Sequence, residues 1–216
     1  MATHHTTGRA ARARTPILAS RPLAAYRTID LITLAFLGVA FGLAFWAWGK
    51  AYAAPAAGLA AVFPPLQGVT SAPWLMAGVV GGLVVRRPGA ALFTELIAAV
   101  VSMLPGTQWG AEVFVSGLVQ GLGAEIGFAL LAYARYGPVA AALAGACAAP
   151  LEAVYEWYAY WTDWGWSYKV AYLLILTVAG AAVAGLGGWA LTRALARSGA
   201  LAALPPGLEA RAERAV

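Results

Sequence analysis

Six long apolar segments, separated by shorter polar ones, account for most of the chain. They cover residues 29–48, 73–85, 88–104, 112–133, 138–160 and 168–195. A helix needs about 20 predominantly apolar residues to cross a bilayer core roughly 30 Å thick. The pattern therefore predicts an all-α, polytopic membrane protein built as a bundle of six transmembrane helices. The second and third segments are short for a span, so their boundaries are the least defined.

The flanks of this apolar region are polar and lack apolar periodicity. We divide the chain into an N-terminal tail (1–27), a six-helix transmembrane domain (28–197) and a C-terminal tail (198–216). The first tail is rich in Ala, Arg and Thr, contains both histidines, and is expected to be mostly disordered. The second contains a Pro205-Pro206 break.

Positive charge is distributed unequally between the two ends of the predicted bundle. All twelve arginines lie in the tails, at the end of the last segment or in two short connectors, whereas Lys50 and Lys169 lie at the opposite ends of their segments. Lys and Arg in short loops mark the cytoplasmic side. The asymmetry predicts that both termini are cytoplasmic and that the protein is a multi-pass component of the cell membrane.

The first connector on the outer side, residues 51–72, is long, apolar and interrupted by Pro55, Pro64 and Pro65. Helix-broken backbone at membrane depth is tolerated where protein or a cavity covers it, and such segments point to binding sites in transporters. The connector is expected either to form a lid over an outward cavity or to be a plain surface loop.

Composition supports the membrane interpretation. The chain is 62% hydrophobic and 11% charged, with a mean hydropathy of +0.73, against about 25% charged residues in soluble domains. The net charge of +5 follows from the arginines that border the apolar segments. We therefore expect the lipid bilayer, and no nucleic acid, as a partner.

Several kinds of chemistry lack the residues they need. No histidine lies in the predicted membrane region, which excludes Ser-His catalysis and histidine-ligated zinc or haem there. A GxxxxGK[ST] phosphate-binding loop is also absent from the sequence. We predict a protein that is not an enzyme and has no catalytic residues, cofactor or metal. Active transport would draw on an ion gradient or on separate ATPase subunits.

Carboxylates within the apolar segments are the strongest functional signal. A charge at the bilayer centre costs about 2.5–3.5 kcal/mol even on the lenient insertion scale, and no Lys or Arg inside the segments can compensate it. The expected counter-charge is a proton, a metal ion or a cationic ligand. Carboxylates and aromatic rings near the outer end would suit a cationic heteroaromatic ligand. The predicted ligand-binding residues are Trp74, Glu95, Trp109, Glu112, Gln120, Glu152, Tyr155 and Glu156.

Two other groups of residues have alternative interpretations. The tryptophans at 157, 161, 164 and 166 are expected to form an interfacial belt. The motifs Gly38-xxx-Gly42 and Ala40-xxx-Ala44 allow close helix packing, either inside the bundle or on a docking face for a membrane partner.

Four stretches of sequence resemble the YkoE family, the substrate-binding S components of energy-coupling factor (ECF) vitamin transporters. They are FGLAFWAW (41–48), APWLMAG (72–78), RRPGAALFTE (86–95) and GLVQGLGAE (117–125). The resemblance covers about residues 28–195. It implies six transmembrane helices, binding of thiamine or its hydroxymethylpyrimidine precursor, and a complex with a transmembrane coupling protein and cytoplasmic ATPases. It also makes the blocks with Trp74, Glu95, Trp109 and Gln120 candidates for the pocket.

Two functions follow from these observations. The first is a substrate-capture subunit of an ECF-type ABC importer, which binds thiamine or the pyrimidine from the outer side without chemical change. The alternative is a proton-coupled secondary transporter of a small cationic solute, in which Glu95 or Glu125 carries the proton.

Overall fold

The computed structural model describes residues 16–215, and that part of the chain contains helices and no strands. The helices, with short 3₁₀ and π segments included in the longer ones, are α1 (Thr28–Ala51), α2 (Ala53–Val62), α3 (Pro64–Val85), α4 (Ala90–Met103), α5 (Glu112–Ala129), α6 (Pro138–Ala159), α7 (Trp166–Ser198) and α8 (Pro205–Arg214). The prediction of an all-α protein is confirmed.

Helix α3 lies at the centre of the bundle. Every residue in its last nine positions, 77–85, is buried. Three of them are glycines, and their lack of a side chain lets neighbouring helices approach closely. A Cβ atom added to Gly78 would lie 3.1 Å from a carboxylate oxygen of Glu95 on α4, and one added to Gly81 would lie 2.7 Å from Thr94 Cβ. Small residues in α3 therefore allow α4 to pack closely against it.

The other helices pack around α3 in an order that follows the chain. Helix α4 packs against α1 and α5, α5 packs against α6, and α6 packs against α7. Gly38 and Gly42 of α1 face α4, where a Cβ on Gly42 would lie 2.5 Å from Val101 Cβ. Ala40 and Ala44 are exposed on the other side of α1. The glycine motif thus serves internal packing, while the alanine motif lies on the surface.

The connector 51–72 differs from the predicted helix-broken loop. It is helical almost throughout, because α2 covers Ala53–Val62 and α3 already begins at Pro64. Pro55 is the third residue of α2, and Pro64 and Pro65 open α3. Proline is tolerated in a first helical turn, where its missing N–H would have no helical partner. The prolines therefore start helices here instead of breaking them.

One end of the bundle, which we call the arginine end, contains the α3–α4 connector with Arg86 and Arg87. Arg87 is buried and pairs with the Asp30 carboxylate of α1 at 3.1 Å. Its guanidinium also donates to the carbonyl oxygens of Ser20, Pro22 and Leu23. The segment before α1 is therefore held across this end.

Tyr26 completes the contact between this segment and the connector. Its hydroxyl donates to the Pro88 carbonyl at 2.7 Å. Burial and the nearby Glu125 carboxylate raise the pKa of Tyr26 to about 12, so the hydroxyl remains a donor at neutral pH.

Arg86 attaches the C-terminal helix to the same end. Its guanidinium pairs with Glu209 of α8 at 2.5 and 2.9 Å and donates to the Ile17 carbonyl. The sequence alone assigns α8 to a polar tail, but Leu201, Leu204 and Ala210 are buried against α1 and α3. Residues 16–27 of the N-terminal tail and helix α8 thus cover the arginine end, and residues 1–15 of the predicted tail lie outside the described residues.

Four helices of the described chain are long and apolar enough to cross a membrane: α1, α3, α6 and α7. Helix α4 is apolar but has only 14 residues, and the 18-residue helix α5 is not among the four. Predicted and observed helix ends agree within a few residues for α1, α4, α6 and α7, whereas α3 starts nine residues before the predicted 73 and α5 ends at Ala129. Six complete crossings and the orientation of the termini stay predictions.

The arginine asymmetry predicts which end faces the cytoplasm. In a variant whose native Cys147 is replaced by alanine, a cysteine at Gly137, beside the arginine end, should be protected from an impermeant thiol reagent in intact cells. A cysteine at Ser167, in the first turn of α7, should react. External labelling at position 137 would contradict the predicted orientation.

Candidate functional site

A cavity of about 280 Å³ opens at the end of the bundle opposite the arginine end. This volume is near the lower limit for small-molecule sites, roughly 300–1,000 Å³. Its walls come from α1, α3, α4, α5 and α6 and from the connectors that follow α4 and α6. Six predicted ligand-binding residues line it: Trp74, Glu95, Trp109, Gln120, Glu152 and Glu156.

Three carboxylates form the acidic part of this wall. Glu95 is 1% exposed, Glu152 is 3% exposed and Glu156 is 8% exposed. At 1.5 Å per residue, Glu95 lies about 12 Å along α4 from its end at Met103, and Glu152 about 10 Å along α6 from Ala159. Glu95 and Glu152 therefore lie well inside the bundle, whereas Glu156, about 5 Å along α6 from Ala159, is nearer its end.

Close helix packing positions Glu95. Gly117 and Gly121 of α5 face α4, and a Cβ on Gly121 would lie 3.0 Å from Leu92 Cα and 3.1 Å from Glu95 Cβ. On the other side, a 3₁₀ turn in α3 (Ala72–Leu75) gives way to α-helix at Met76. The Gly78 N–H donates to Glu95 Oε2 at 2.6 Å. One oxygen of Glu95 is thereby fixed, while Oε1 is buried with no partner among residues 16–215.

Glu152 is held by a chain of hydrogen bonds from α5. Gln120 Nε2 donates to Ser116 Oγ at 2.8 Å, and the Ser116 hydroxyl donates to Glu152 Oε1 in a short hydrogen bond. The second oxygen, Glu152 Oε2, is buried and unpartnered. This arrangement leaves one acceptor of Glu152 available.

Glu156 is held from α3 and α7. The fully buried Tyr172 hydroxyl donates to Glu156 Oε2 in a short hydrogen bond. Because this bond uses the Tyr172 proton, the Ser71 hydroxyl, 3.0 Å from the same oxygen, is the donor to Tyr172. The chain from Ser71 to Glu156 links three helices around the cavity.

None of the three carboxylates forms an ion pair with another of the described residues, since the four ion pairs in 16–215 involve Asp30, Glu209 and Glu213. Within that part of the chain the cavity lining contains a single cationic side chain, Lys50, which is exposed at the end of α1. Buried charges in proteins are normally paired. The three carboxyl groups therefore need a proton or a cationic ligand for compensation.

Aromatic rings cover the rest of the cavity. Trp74 and Trp109 meet edge to face with ring centroids 5.3 Å apart, and Tyr52 lies 5.3 and 5.2 Å from them. Trp161 lines the cavity from the connector after α6 and is stacked on Trp164 at 4.5 Å. The Trp161 indole N–H is buried without a partner. Such surfaces suit stacking and cation–π contact with a flat cationic ring.

Comparison with known proteins agrees with this architecture. Residues 29–151 match the family model described as an ABC-type cobalt transport system, permease component. YkoE of Bacillus subtilis (strain 168), described as a candidate HMP/thiamine permease protein, is 33% identical over 153 residues, which are 70% of this chain and 75% of the relative. The chain belongs to the YkoE family.

A solved structure gives the fold of this YkoE-family protein. The crystal structure of an S component of an ECF transporter superposes with a TM-score of 0.77 at 28% identity, over 88% of this chain and 95% of that one. The fold is that of an ECF S component, and the protein is a multi-pass membrane transport protein. Within residues 16–215, no group of three or more His, Cys, Asp or Glu side chains could hold a metal ion.

Two predicted ligand-binding residues of the YkoE-family chain lie outside the cavity lining. Glu112 is exposed at the start of α5, and the Tyr155 hydroxyl donates to its backbone carbonyl at 3.3 Å. Tyr155 therefore does not share the cavity-facing side of α6 with Glu152 and Glu156. Conversely, Ser71 is not among the predicted ligand-binding residues and Trp161 is assigned to an interfacial belt, whereas both line the cavity. The sequence signal that could have identified Ser71 was the occurrence of two polar residues, Gln67 and Ser71, in an otherwise apolar connector.

Glu125, one of the two predicted proton carriers, has a different environment. Its carboxylate accepts hydrogen bonds from the backbone N–H groups of Gly89, Ala91 and Leu92 and from the Tyr133 hydroxyl. These amides are at the start of α4, where N–H groups lack helical partners. Glu125 thus caps α4 at the arginine end, away from the cavity.

Replacing Glu125 with Gln should therefore lower stability without weakening ligand binding. The amide keeps one acceptor oxygen but loses the charge that favours a helix N-terminus, which we expect to cost about 0.5–2 kcal/mol. Thermal unfolding in detergent and ligand calorimetry measure the two effects. A large loss of ligand affinity with unchanged stability would return Glu125 to the site.

Proposed function

We propose that this protein is the substrate-capture subunit of an ECF-type importer and binds thiamine or its hydroxymethylpyrimidine precursor from the outer side of the membrane. The observation that carries the proposal is the set of buried, unpartnered atoms in the cavity: Glu95 Oε1, Glu152 Oε2 and Trp161 Nε1. They suit a ligand that offers hydrogen-bond donors to the two carboxyl oxygens and an acceptor to the indole N–H.

The aminopyrimidine ring of both ligands has this pattern. Its exocyclic amine donates two hydrogens, which suit the carboxylates, and its ring nitrogens accept, which suits the Trp161 N–H. Thiamine adds a thiazolium ring with a fixed positive charge, for which the acidic wall and the tryptophan faces provide neutralisation and cation–π contact. The similarity to the HMP/thiamine permease relative supports the same ligand class.

We further propose that the protein does not transform its ligand and that ATP is hydrolysed by separate cytoplasmic subunits. The S-component fold supports association with a transmembrane coupling protein and ATPases. Helix α1 offers a surface for the membrane partner, since Ala40 and Ala44 are exposed beside Phe36 and Leu43, which are 73% and 54% exposed. Small residues in such a stripe let a partner helix approach closely.

The proposal includes six transmembrane helices. Helices α4 and α5 run antiparallel side by side, because Glu125 near the end of α5 caps the start of α4. The chain leaves the arginine end at Ala90 and returns there before Pro138, so α4 and α5 form a pair of passes between α3 and α6. Packing against α1, α3 and α5 provides the apolar surroundings that the short α4 needs.

The carboxylates should govern recognition of the ligand's charge. Because removing one member of a buried charge pair costs about 2–5 kcal/mol, Glu152→Gln or Glu156→Gln should weaken thiamine binding by tenfold or more in calorimetry. The uncharged pyrimidine should be affected less by either change. Trp74→Ala should weaken both ligands, since stacking does not depend on ligand charge.

Glu112→Gln is the matched control for these variants. It removes an acid from the same end of the bundle but outside the cavity, so both affinities should stay at the parent's level. If the Glu152 and Glu156 variants also bind thiamine like the parent, the electrostatic part of the proposal is wrong and Glu95 is the next acid to test.

Energy coupling distinguishes the importer subunit from a proton-coupled carrier. Cells that express this chain without coupling subunits should show weak or no thiamine uptake, and cells that co-express them should show ATP-dependent uptake. The purified chain should bind ligand and have no ATPase activity. Robust uptake by the chain alone, abolished by a protonophore, would favour the carrier.

A further inference from the structure

A second cavity, of about 300 Å³, lies at the arginine end, remote from the acidic one. It is enclosed by the end of α3, the start of α6, the last turns of α7, helix α8 and the segment that precedes α1. Apolar side chains, among them Leu83, Trp189 and Ala196, form part of its wall. The function proposed above makes no use of it.

Tyr136 lines this cavity, and its hydroxyl oxygen is buried without a partner among the described residues. Within residues 16–215 there are four buried side-chain N or O atoms without a partner, of which three belong to residues lining the acidic cavity and the fourth is the Tyr136 hydroxyl oxygen. The ring is fixed between Phe128, stacked at 5.7 Å, and the Arg86 guanidinium, 4.9 Å from its centroid. Burial raises the pKa of Tyr136 above its ordinary value of 10.0, so the hydroxyl keeps its proton.

The charges around the cavity leave an excess of positive charge. Arg86 is neutralised by Glu209, and Arg193 is paired with Glu213 at 2.9 Å. Arg197 also lines the cavity, and its guanidinium forms no ion pair with any residue of the described range. Gly137 and Pro138 place the N-terminus of the 22-residue α6 at the same cavity, which adds a partial positive charge. The site therefore suits an anion that accepts hydrogen bonds.

We propose that this cavity binds the phosphate group of an anionic phospholipid headgroup, with the Tyr136 hydroxyl and the Arg197 guanidinium as donors. The apolar wall favours a lipid over a free phosphate, because it gives the glycerol and first acyl carbons a contact surface. Leu186 and Leu191, 45% and 37% exposed on α7, extend that surface along the outside of the bundle. Basic pockets between helices at a membrane surface bind such headgroups, and Trp189 is of the residue type common at headgroup level.

Titration of purified, delipidated full-length protein tests the proposal, with native mass spectrometry and thermal unfolding as readouts. Phosphatidylglycerol should bind and raise the melting temperature more than phosphatidylcholine of the same chain length. Tyr136→Phe and Arg197→Gln should each weaken phosphatidylglycerol binding by about tenfold, the loss of one hydrogen bond to a charged group.

Two controls separate recognition from a structural role. Arg135→Gln removes the same charge from an exposed site at the same end, and it should bind phosphatidylglycerol like the parent. Tyr136→Phe keeps the ring contacts and removes a hydroxyl that has no partner among residues 16–215, so its melting temperature without lipid should be no lower than the parent's. Thiamine affinity should be unchanged in all three variants, which keeps this test independent of the acidic cavity.

Equal binding of phosphatidylglycerol and phosphatidylcholine would overturn the proposal, as would unchanged phosphatidylglycerol binding by both the Tyr136 and Arg197 variants. If inorganic phosphate alone stabilises the parent as much as phosphatidylglycerol does, and the variants lose that effect, the site recognises phosphate but the lipid assignment is wrong.

Discussion

A carboxylate buried among apolar helices must be compensated, and this requirement organises both ends of the molecule. At the arginine end every buried or half-buried acid has partners. Asp30 binds Arg27 and Arg87, and Glu125 receives three backbone amides and a tyrosine hydroxyl. At the opposite end Glu95 and Glu152 each have one oxygen bonded and one unpartnered. Carboxylates at the arginine end are thus compensated by the protein, whereas carboxylates at the opposite end keep oxygens without a partner.

The backbone makes this difference possible by bringing helices unusually close together. Gly78 exposes its N–H to Glu95 because no side chain separates α3 from α4. Gly123 and Gly127 of α5 approach the backbone of α6 at Ala148 and Ala144, where an added Cβ would meet main-chain atoms. Helices in a bilayer gain little from the hydrophobic effect between them, so close packing of small residues supplies much of their association. The abundance of Ala and Gly is therefore what fixes the carboxylates in position.

The sequence predicted the helical class and most helix positions, because apolar length is a local property that composition reveals. It failed at α2 and α8 for different reasons. Prolines at 55, 64 and 65 look like breaks until their position in a first helical turn is known. Helix α8 is polar overall, and it contacts the bundle in part through the Arg86–Glu209 pair, whose members are 123 residues apart.

The chemistry of the candidate site could be predicted from the sequence, but the set of residues that line it could be predicted only in part. Buried acids without basic partners stand out in an apolar segment, and Glu95, Glu152 and Glu156 do line one cavity. Helical spacing places Glu112 on the same stripe as Ser116 and Gln120, but it does not reveal where that stripe leaves the bundle. Trp161 looks like any interfacial tryptophan from the sequence, and the Ser71–Tyr172 contact joins residues 101 positions apart. Only tertiary structure brings these groups together.

The incomplete end also explains how a binding subunit can be selective without chemical catalysis. A ligand that satisfies Glu95, Glu152 and Trp161 together removes the desolvation cost of all three groups, whereas one that satisfies fewer leaves a buried group unpaired. The site then discriminates against an incorrect ligand because that ligand leaves at least one of these buried groups without a hydrogen bond. At the arginine end, by contrast, the buried Arg86 and Arg87 are paired with Glu209 and Asp30. The proposed ligand would therefore supply partners at the open end of a bundle whose other end is already held by ion pairs.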